Sequence, residues 1–279
     1  MKDKVCIVTG ANSGIGYVTA LELARMGVTV VMVCRNESKG ETAASVIKSA
    51  TGNSSVHLIC GDLSSQQRVR EIAESFKRQF GQLHILVNNA GALIPTRRLS
   101  VDGIEMTFAL NHLGYFLLTN LLLDMLVKSS PSRIVNVASD VHRYTKLDFD
   151  DIQNGRKYSS ILVYAQSKLA NVLFSYELAR RLDGKGVMVN CMHPGAIRSN
   201  FYNNSGLATR IFSSLFGWTM RSPEKGAETV IYLASSPEVE GISGKYFKDK
   251  KAVQSSKYSE DKEIALRLWE LSERTVNLR

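Results

Sequence analysis

Short apolar runs alternate with longer helical segments along the whole chain, and this alternation constrains the fold more than any other feature. The runs are rich in β-branched residues and almost continuously apolar, as strands buried on both faces of a parallel sheet must be. The helical segments supply the right-handed crossovers that parallel neighbours require. The predicted strands are Val5–Val8, Thr29–Val33, Val56–Ile59, Ile85–Val87, Arg133–Val137, Val187–Asn190 and Lys245–Phe247.

Helices are predicted around 15–26, 38–50, 66–79, 103–127, 158–182, 223–235 and 259–275. Together the two sets predict a doubly wound α/β fold, with a seven-stranded, mostly parallel sheet and helices on both faces. No linker rich in Pro, Gly or Ser interrupts the chain, so we predict a single domain over 1–279, with a small helical lid at about 196–222. Ligands of such sheets bind at the carboxyl ends of the strands, near the reversal in strand order.

Composition narrows the classes of function. The 279 residues are 44% hydrophobic and 22% charged, which excludes a collagen-like or broadly disordered chain. A formal charge of +9 indicates an anionic partner: nucleic acid, an acidic membrane surface or a phosphorylated small molecule. The opening apolar run, 5–10, is too short for a signal peptide or a membrane span. Four separated cysteines lack metal-ligand spacing, so we expect buried thiols and no metal site: Cys6, Cys34, Cys60 and Cys191.

A glycine-rich turn follows the first strand and opens the first helix. Its glycines allow a sharp turn and a close approach to a pyrophosphate, whose charge the helix N-terminus favours. The spacing, Gly-x3-Gly-x-Gly, differs from the generic dinucleotide fingerprint, and a tight turn without a ligand remains the alternative. The predicted phosphate loop contains Gly10, Asn12, Ser13, Gly14, Ile15 and Gly16.

The end of the second strand predicts which nicotinamide cofactor fits. An acidic residue there binds the ribose 2′-hydroxyl of NAD, whereas an arginine accommodates the 2′-phosphate of NADP. Cys34 stands where the acid is expected, and Arg35 follows it. The pair favours NADP(H), with a merely solvated Arg35 as the alternative.

A tyrosine and a lysine lie one turn apart in the predicted helix 158–182. Tyr164 and Lys168 therefore share a face, and an ammonium beside a phenol favours the phenolate that acid–base catalysis requires. Ser139 ends another strand at the edge of the sheet where ligands bind. Its hydroxyl can hydrogen-bond a substrate carbonyl, although a serine in such a place is also a common cap.

These motifs occur together in the order and spacing of the short-chain dehydrogenase/reductase family, which the chain resembles over nearly its whole length. The resemblance implies a Rossmann fold. It rests on 9–16, 88–91, Asn111, Ser139, Tyr164 with Lys168, and Pro194-Gly195. Four further segments resemble the retinol dehydrogenase branch, microsomal retinal reductases similar to retinol dehydrogenases 11 to 14: 111–119, 167–174, 193–199 and 244–247.

The resemblance implies a role for each matching residue. Tyr164 is expected to be the general acid in reduction and the base in oxidation, and Lys168 to hold the nicotinamide ribose and lower the tyrosine pKa. Ser139 is expected to orient the carbonyl, and Asn111 to support a proton-relay water. Besides the phosphate loop, Arg35, Tyr164 and Lys168, the cofactor pocket implied by the family comprises Asp62, Leu63, Asn89, Ala90, Gly91, Pro194, Gly195, Ile197 and Ser199.

The chain departs from that branch in two places. It shows no amino-terminal hydrophobic anchor ahead of the first strand, and the segment 200–222 matches poorly. That segment is apolar and aromatic, which favours a lipophilic substrate such as a retinoid, a fatty aldehyde or a steroid-like ketone. Because the sequence shows no such anchor, we expect a cytoplasmic enzyme.

The sequence leaves an alternative function and two possible contacts of the protein open. A non-catalytic NADP(H)-binding sensor or scaffold is the alternative function. A nucleic-acid partner is not expected, because no Lys/Arg stripe with interleaved aromatic residues occurs. The apolar lid carries Arg210 and Arg221, which makes peripheral contact with a membrane an open alternative. A homodimer through the helices 103–127 and 158–182 is another, since relatives commonly pair there.

Overall fold

The computed structural model describes residues 1–196 and 221–278. One eight-stranded sheet forms the centre of this part of the chain, in the order β3-β2-β1-β4-β5-β6-β7-β8. All neighbouring strands are parallel except β7 and β8. The strands are β1 Val5–Thr9, β2 Thr29–Cys34, β3 Val56–Cys60, β4 Ile85–Asn88, β5 Ser132–Val137, β6 Val187–His193, β7 Lys245–Lys248 and β8 Lys251–Val253.

The strand order reverses at β1, which lies between β2 and β4. Ile7 of β1 is in register with Val31 on one side and with Leu86 on the other, and all three are fully buried. The first two connections, from β1 to β2 and from β2 to β3, therefore run outward in one direction, and the strands from β4 onward are added in the other. This reversal opens a crevice at the carboxyl ends of β1 and β4, the position where doubly wound sheets bind their ligands.

Helices cover both faces of the sheet, as predicted. They are α1 Gly14–Arg25, α2 Glu37–Thr51, α3 Gln66–Gln79, α4 Met106–Lys128, α5 Ser160–Arg181, α6 Pro223–Ser235 and α7 Lys262–Thr275. One apolar core joins Ile7 to α3, α4, α5 and α7, and the other joins Cys6 and Val8 to α1, α2 and α6. Side chains alternate between the two faces along a strand. Both faces of β1 are apolar because each meets a layer of helices.

The sheet has one strand more than the seven predicted. β8 is a three-residue edge strand whose residues are all exposed, and it pairs antiparallel with β7. Asp249 and Lys250 join the two strands at φ values of 50° and 62°. The prediction was wrong here because an exposed edge strand needs no apolar run, which was the signal used for the other strands.

The predicted helix 103–127 begins at Met106 and contains a π-helical turn, Ala109–Leu113. By length and composition α4 could cross a membrane, but most of its most apolar stretch is buried inside the protein, which is typical of a core helix. The predicted carboxyl-terminal helix also divides, into a short 3-10 turn at Lys257–Glu260 and α7.

Most of the predicted lid, 196–222, lies outside the described residues. Its two ends are joined, because the backbone N–H of Arg221 donates to the carbonyl oxygen of Ala196 at 2.8 Å. The helical lid and the single domain over 1–279 stay predictions.

Candidate active site

The glycine-rich turn between β1 and α1 has the backbone that its sequence predicts. Gly10 and Gly14 have φ values of +68° and +56°, a region that favours glycine. A Cβ on Gly16 would come within 2.5 Å of Asn89 Nδ2 and of the Gly10 carbonyl oxygen. The turn is therefore packed tightly against the end of β4, and only glycine fits at Gly16.

Polar groups are available at the amino terminus of α1. Ser13 is the N-cap residue, is exposed, and makes no side-chain hydrogen bond to the helix. Asn12 and Ile15 flank it and are partly exposed. A helix N-terminus with free backbone N–H groups attracts a phosphate, so this turn fits the pyrophosphate that the sequence predicts.

Hydrogen bonds donated to Thr9 hold the loop after β4 against the end of β1. Thr9 Oγ1 accepts from the backbone N–H groups of Asn89 and Ala90 at 2.9 and 3.0 Å, and Asn89 Nδ2 donates to the Thr9 carbonyl oxygen at 2.8 Å. A Cβ on Gly91 would lie 3.2 Å from Asn111 Oδ1 and 3.5 Å from Lys168 Nζ. This loop thus joins the phosphate turn to the proposed catalytic residues.

The carboxyl end of β2 carries an exposed cation beside a buried thiol. Cys34 is buried, and burial raises the pKa of its thiol to about 11. The Arg35 side chain is 76% exposed, and its Nη1 lies 3.8 Å from Asp62 Oδ2. Asp62 Oδ1 accepts from the backbone N–H and the hydroxyl of Ser64 at 2.9 and 2.7 Å, which fixes the turn after β3. Leu63, the next residue, is buried.

Asn111 lies inside the π turn of α4 and is fully buried. Its Oδ1 accepts from the backbone N–H of Ala92, and its Nδ2 donates to the Ala92 carbonyl oxygen, both at 2.9 Å. Nδ2 also donates to Ser167 Oγ at 3.0 Å, and Ser167 Oγ donates to the Tyr164 carbonyl oxygen at 2.7 Å. Asn111 therefore connects the loop after β4 to α5.

Lys168 is buried between two phenol rings. Its Nζ lies 5.6 Å from the centre of the Tyr164 ring and 5.9 Å from that of Tyr115, within the range of cation–π attraction. Nζ donates to the Val137 carbonyl oxygen at 2.9 Å. Burial lowers the pKa of Lys168 to about 7. The predicted pairing of Tyr164 with Lys168 on one face of a helix is confirmed.

Ser139 follows β5 and caps a short 3-10 turn, Asp140–Tyr144, in which its Oγ accepts from the backbone N–H of Val141 at 3.4 Å. It follows Val137, whose carbonyl oxygen binds Lys168, by two residues. The structure thus places Ser139 at the same edge of the sheet as the tyrosine and lysine.

Pro194 and Gly195 continue directly from β6 at this edge. Gly195 has a φ of +91°, and a Cβ there would lie 2.7 Å from Arg221 Cδ. The two remaining predicted site residues, Ile197 and Ser199, lie outside the described residues.

Several residues that support the site were not predicted. Thr9 and Ser167 lie within matched motifs, but no role was predicted for either side chain. A further group lies behind Ser139: Asp140, His142, His193, Tyr246 and Lys248. No local pattern marks these residues, because they come from three distant segments. Within the two described ranges, no three or more His, Cys, Asp or Glu side chains are grouped so as to hold a metal ion.

Comparison with known proteins agrees with this geometry. The short chain dehydrogenase family matches residues 4–208. Retinol dehydrogenase 13 from Homo sapiens is 45% identical over 281 residues, covering 99% of this chain and 85% of the relative. Retinol dehydrogenase 12 from Mus musculus is 44% identical over 272 residues, covering 96% of this chain and 85% of the relative.

Solved structures give the same answer for the fold. The crystal structure of an uncharacterised protein from Mycobacterium paratuberculosis superposes with a TM-score of 0.80 at 32% identity. The match covers 99% of this chain and 94% of that chain. The chain therefore belongs to the short chain dehydrogenase family, in its retinol dehydrogenase branch, and is an oxidoreductase of alcohol or carbonyl groups that uses a nicotinamide cofactor.

Proposed function

We propose that the protein reversibly reduces a lipophilic aldehyde or ketone to the alcohol, with NADP(H) as the cofactor and Tyr164 as the general acid and base. The observation that carries this proposal is the burial of Lys168 one helical turn from Tyr164. The lysine is 3% exposed and is held by the Val137 carbonyl oxygen at 2.9 Å. With a pKa of about 7, a substantial fraction of Lys168 is protonated near neutral pH, and this ammonium form stabilises a phenolate without the flexibility of a surface lysine.

Each proposed catalytic residue has one task. NADPH supplies the hydride when it is bound. Tyr164 donates a proton to the carbonyl oxygen as that atom gains charge, and Lys168 stabilises the phenolate that remains. Ser139 Oγ donates a hydrogen bond to the same oxygen and orients it. Asn111 fixes the π turn that would hold the water supplying the next proton. In alcohol oxidation Tyr164 takes the proton back.

The choice of NADP(H) over NAD(H) rests on the end of β2. An acidic residue at position 34 would repel a 2′-phosphate, but this position holds Cys34. Arg35 is exposed and only weakly engaged with Asp62 at 3.8 Å, so its guanidinium is available for the phosphate. A guanidinium and a phosphate form charge-assisted, often bidentate hydrogen bonds.

Replacing Arg35 by alanine is therefore expected to raise KM for NADPH by about 10- to 100-fold, because a hydrogen bond to a charged group contributes about 1.5–3 kcal/mol. KM for NADH, which has no 2′-phosphate, should stay nearly unchanged. Steady-state kinetics with both cofactors measure this difference. Arg25→Ala, on the exposed end of α1, is the control and should leave both values unchanged. A wild-type preference for NADH would contradict the role given to Arg35.

Three exposed apolar side chains near the catalytic residues favour a lipophilic substrate. Ile161 and Leu162 precede Tyr164 on α5 and are 65% and 42% exposed, and Tyr144, at the end of the turn after Ser139, is 84% exposed. The relatives above are named retinol dehydrogenases, which makes retinal the first candidate. We expect retinal or a long aliphatic aldehyde to give a higher kcat/KM than a short polar one. A screen of retinal, aliphatic aldehydes, steroid ketones and quinones with both cofactors tests the substrate class.

The alternative function is an NADP(H)-binding sensor or scaffold without turnover. The presence of Asn111, Ser139, Tyr164 and Lys168 in one place favours the enzyme, because a sensor has no need of a buried catalytic pair. Saturable NADPH binding without oxidation of NADPH across the whole substrate screen would favour the sensor instead.

The wider partners stay predictions. α7 packs on the two long helices proposed for a homodimer: the Trp269 ring centre lies 4.9 Å from that of Phe116 on α4 and 5.9 Å from that of Phe174 on α5. A dimer would have to use parts of those helices that Trp269 leaves free. Peripheral membrane contact, the open alternative that rests on the segment 196–222, is tested by sedimentation with anionic liposomes at low salt. The cytoplasmic location stays a prediction.

A further inference from the structure

A carboxylate with four partners lies directly after Ser139. Asp140 Oδ1 accepts from the Tyr246 hydroxyl at 2.9 Å and lies 3.4 Å from Arg143 Nε. Oδ2 accepts from Lys248 Nζ at 2.8 Å and lies 3.6 Å from His193 Nε2. The partners come from β6, from β7 and from the turn that contains Asp140 itself.

The backbone of the same residue is also held. The N–H of Asp140 donates to His193 Nδ1 at 3.2 Å. His193 therefore accepts through Nδ1, and its proton lies on Nε2, on the side of the carboxylate. Desolvation lowers the pKa of His193 to about 4, so the imidazole is neutral near pH 7. The main chain and the side chain of Asp140 are thus both fixed to the end of β6.

His142 holds the carbonyl group of Ser139 from the other side. Its Nδ1 lies 2.7 Å from the Ser139 carbonyl oxygen, and its Nε2 accepts from the backbone N–H of Ser256 at 3.2 Å. Since Nε2 accepts, the proton lies on Nδ1 and is donated to Ser139. The His142 ring also packs edge-on against Tyr246, with 4.9 Å between ring centres.

Together these contacts leave Ser139 little freedom. The next residue, Asp140, is partly buried, and its carboxylate contacts side chains of β6 and β7. The buried His142 donates a hydrogen bond to the Ser139 carbonyl oxygen. None of these groups need touch the substrate. A carbonyl substrate, by contrast, needs the Ser139 hydroxyl in a narrow range of positions, since a misplacement of 1 Å can cost about a hundredfold in rate.

We infer that Asp140 is a positioning residue for Ser139: its contacts with Lys248 and Tyr246 of β7 and with His193 of β6 hold the serine hydroxyl where it can orient the substrate carbonyl. This inference rests on the proposed role of Ser139 in catalysis. It gives the β7–β8 hairpin, at the edge of the sheet, a function in the reaction.

The test combines Asp140→Asn with Ser139→Ala. Asparagine keeps the shape and an acceptor for Tyr246 but loses the charge that Lys248 binds. We expect Asp140→Asn to lower kcat for an aldehyde by about 10- to 100-fold while the Kd for NADPH, measured by fluorescence, changes by less than about twofold. In the Ser139→Ala background the same change should have no further effect on kcat, because two residues that act through one group are not additive.

Matched variants separate positioning from general damage. Asp150→Asn removes an exposed carboxylate ten residues further along the chain and should keep wild-type kcat. Lys248→Met should resemble Asp140→Asn, Lys248→Arg should restore much of the rate, and Lys251→Met, on the exposed strand of the same hairpin, should have no effect. Thermal unfolding of every variant identifies any that fails to fold. If Asp140→Asn fails to fold, the comparison of kcat between Lys248→Met and Lys248→Arg tests the inference instead.

Three outcomes would overturn the inference. The first is a wild-type kcat in Asp140→Asn. The second is an equal loss of kcat in the presence and absence of the Ser139 hydroxyl, which would indicate a structural role. The third is no recovery in Lys248→Arg. Failure of the proposed function looks different: Ser139→Ala itself would then retain the wild-type rate.

Discussion

Replacing Tyr164 by phenylalanine will lower kcat for aldehyde reduction by about 10²- to 10⁴-fold, the usual contribution of a positioned general acid. The change removes only the hydroxyl, so the ring remains beside Lys168 at its present 5.6 Å from Nζ. NADPH binding should therefore survive, with a Kd within about twofold of the wild type. Single-turnover kinetics with saturating NADPH, followed by the loss of its absorbance, measure the chemical step directly.

Tyr232→Phe is the matched control, because Tyr232 lies on α6, on the opposite face of the sheet, where its ring packs near Phe247. It should react at the wild-type rate. If Tyr164→Phe also kept the wild-type rate, then Tyr164 would not be the proton donor, and the mechanism proposed for this site would be wrong whatever the substrate.

The second large effect is on stability in acid. Burial lowers the pKa of His112 to about 3 and that of His193 to about 4, from an ordinary value of 6.5. Because the unfolded chain binds these protons and the folded protein does not, stability is fully present above pH 6.5 and falls as the pH drops toward these folded-state values. At pH 5 the loss is about 2 kcal/mol for each histidine, a large share of the roughly 5–15 kcal/mol typical of a folded domain.

Urea unfolding between pH 8 and pH 4.5 measures this loss. His112 is fully buried on α4, and its Nε2 lies 2.9 Å from Ser272 Oγ of α7. Ser272 Oγ donates to the Leu268 carbonyl oxygen, so His112 donates through Nε2. Its pKa of about 3 keeps the ring neutral near pH 7. His112→Gln should therefore flatten the acid slope. NMR titration of the wild type gives an independent readout, and a His112 signal that titrates near pH 6.5 would contradict the prediction.

Much of the candidate site could be predicted from the sequence because its residues sit where local patterns place them. Parallel strands buried on both faces must be apolar throughout, so the strands from β1 to β7 could be predicted from apolar runs in the sequence. Their carboxyl ends meet at one edge of the sheet. The spacing of Tyr164 and Lys168 fixes a shared helical face. β8 and the π turn in α4 were missed, since a short exposed strand and a local change in helical hydrogen bonding leave no periodic trace.

The sequence by itself determined the strands and helices of the doubly wound sheet, the glycine-rich turn after β1 and the shared helical face of Tyr164 and Lys168, because each depends on residues close together in the chain. Only the tertiary structure decided how these parts are held. It joined Asn111 to Ser167 and to the loop after β4, and it set Asp140 among partners from β6 and β7. It also buried Lys168 so deeply that burial lowers its pKa to about 7. Desolvation and long-range hydrogen bonds depend on which distant segments meet, and no local pattern encodes that meeting.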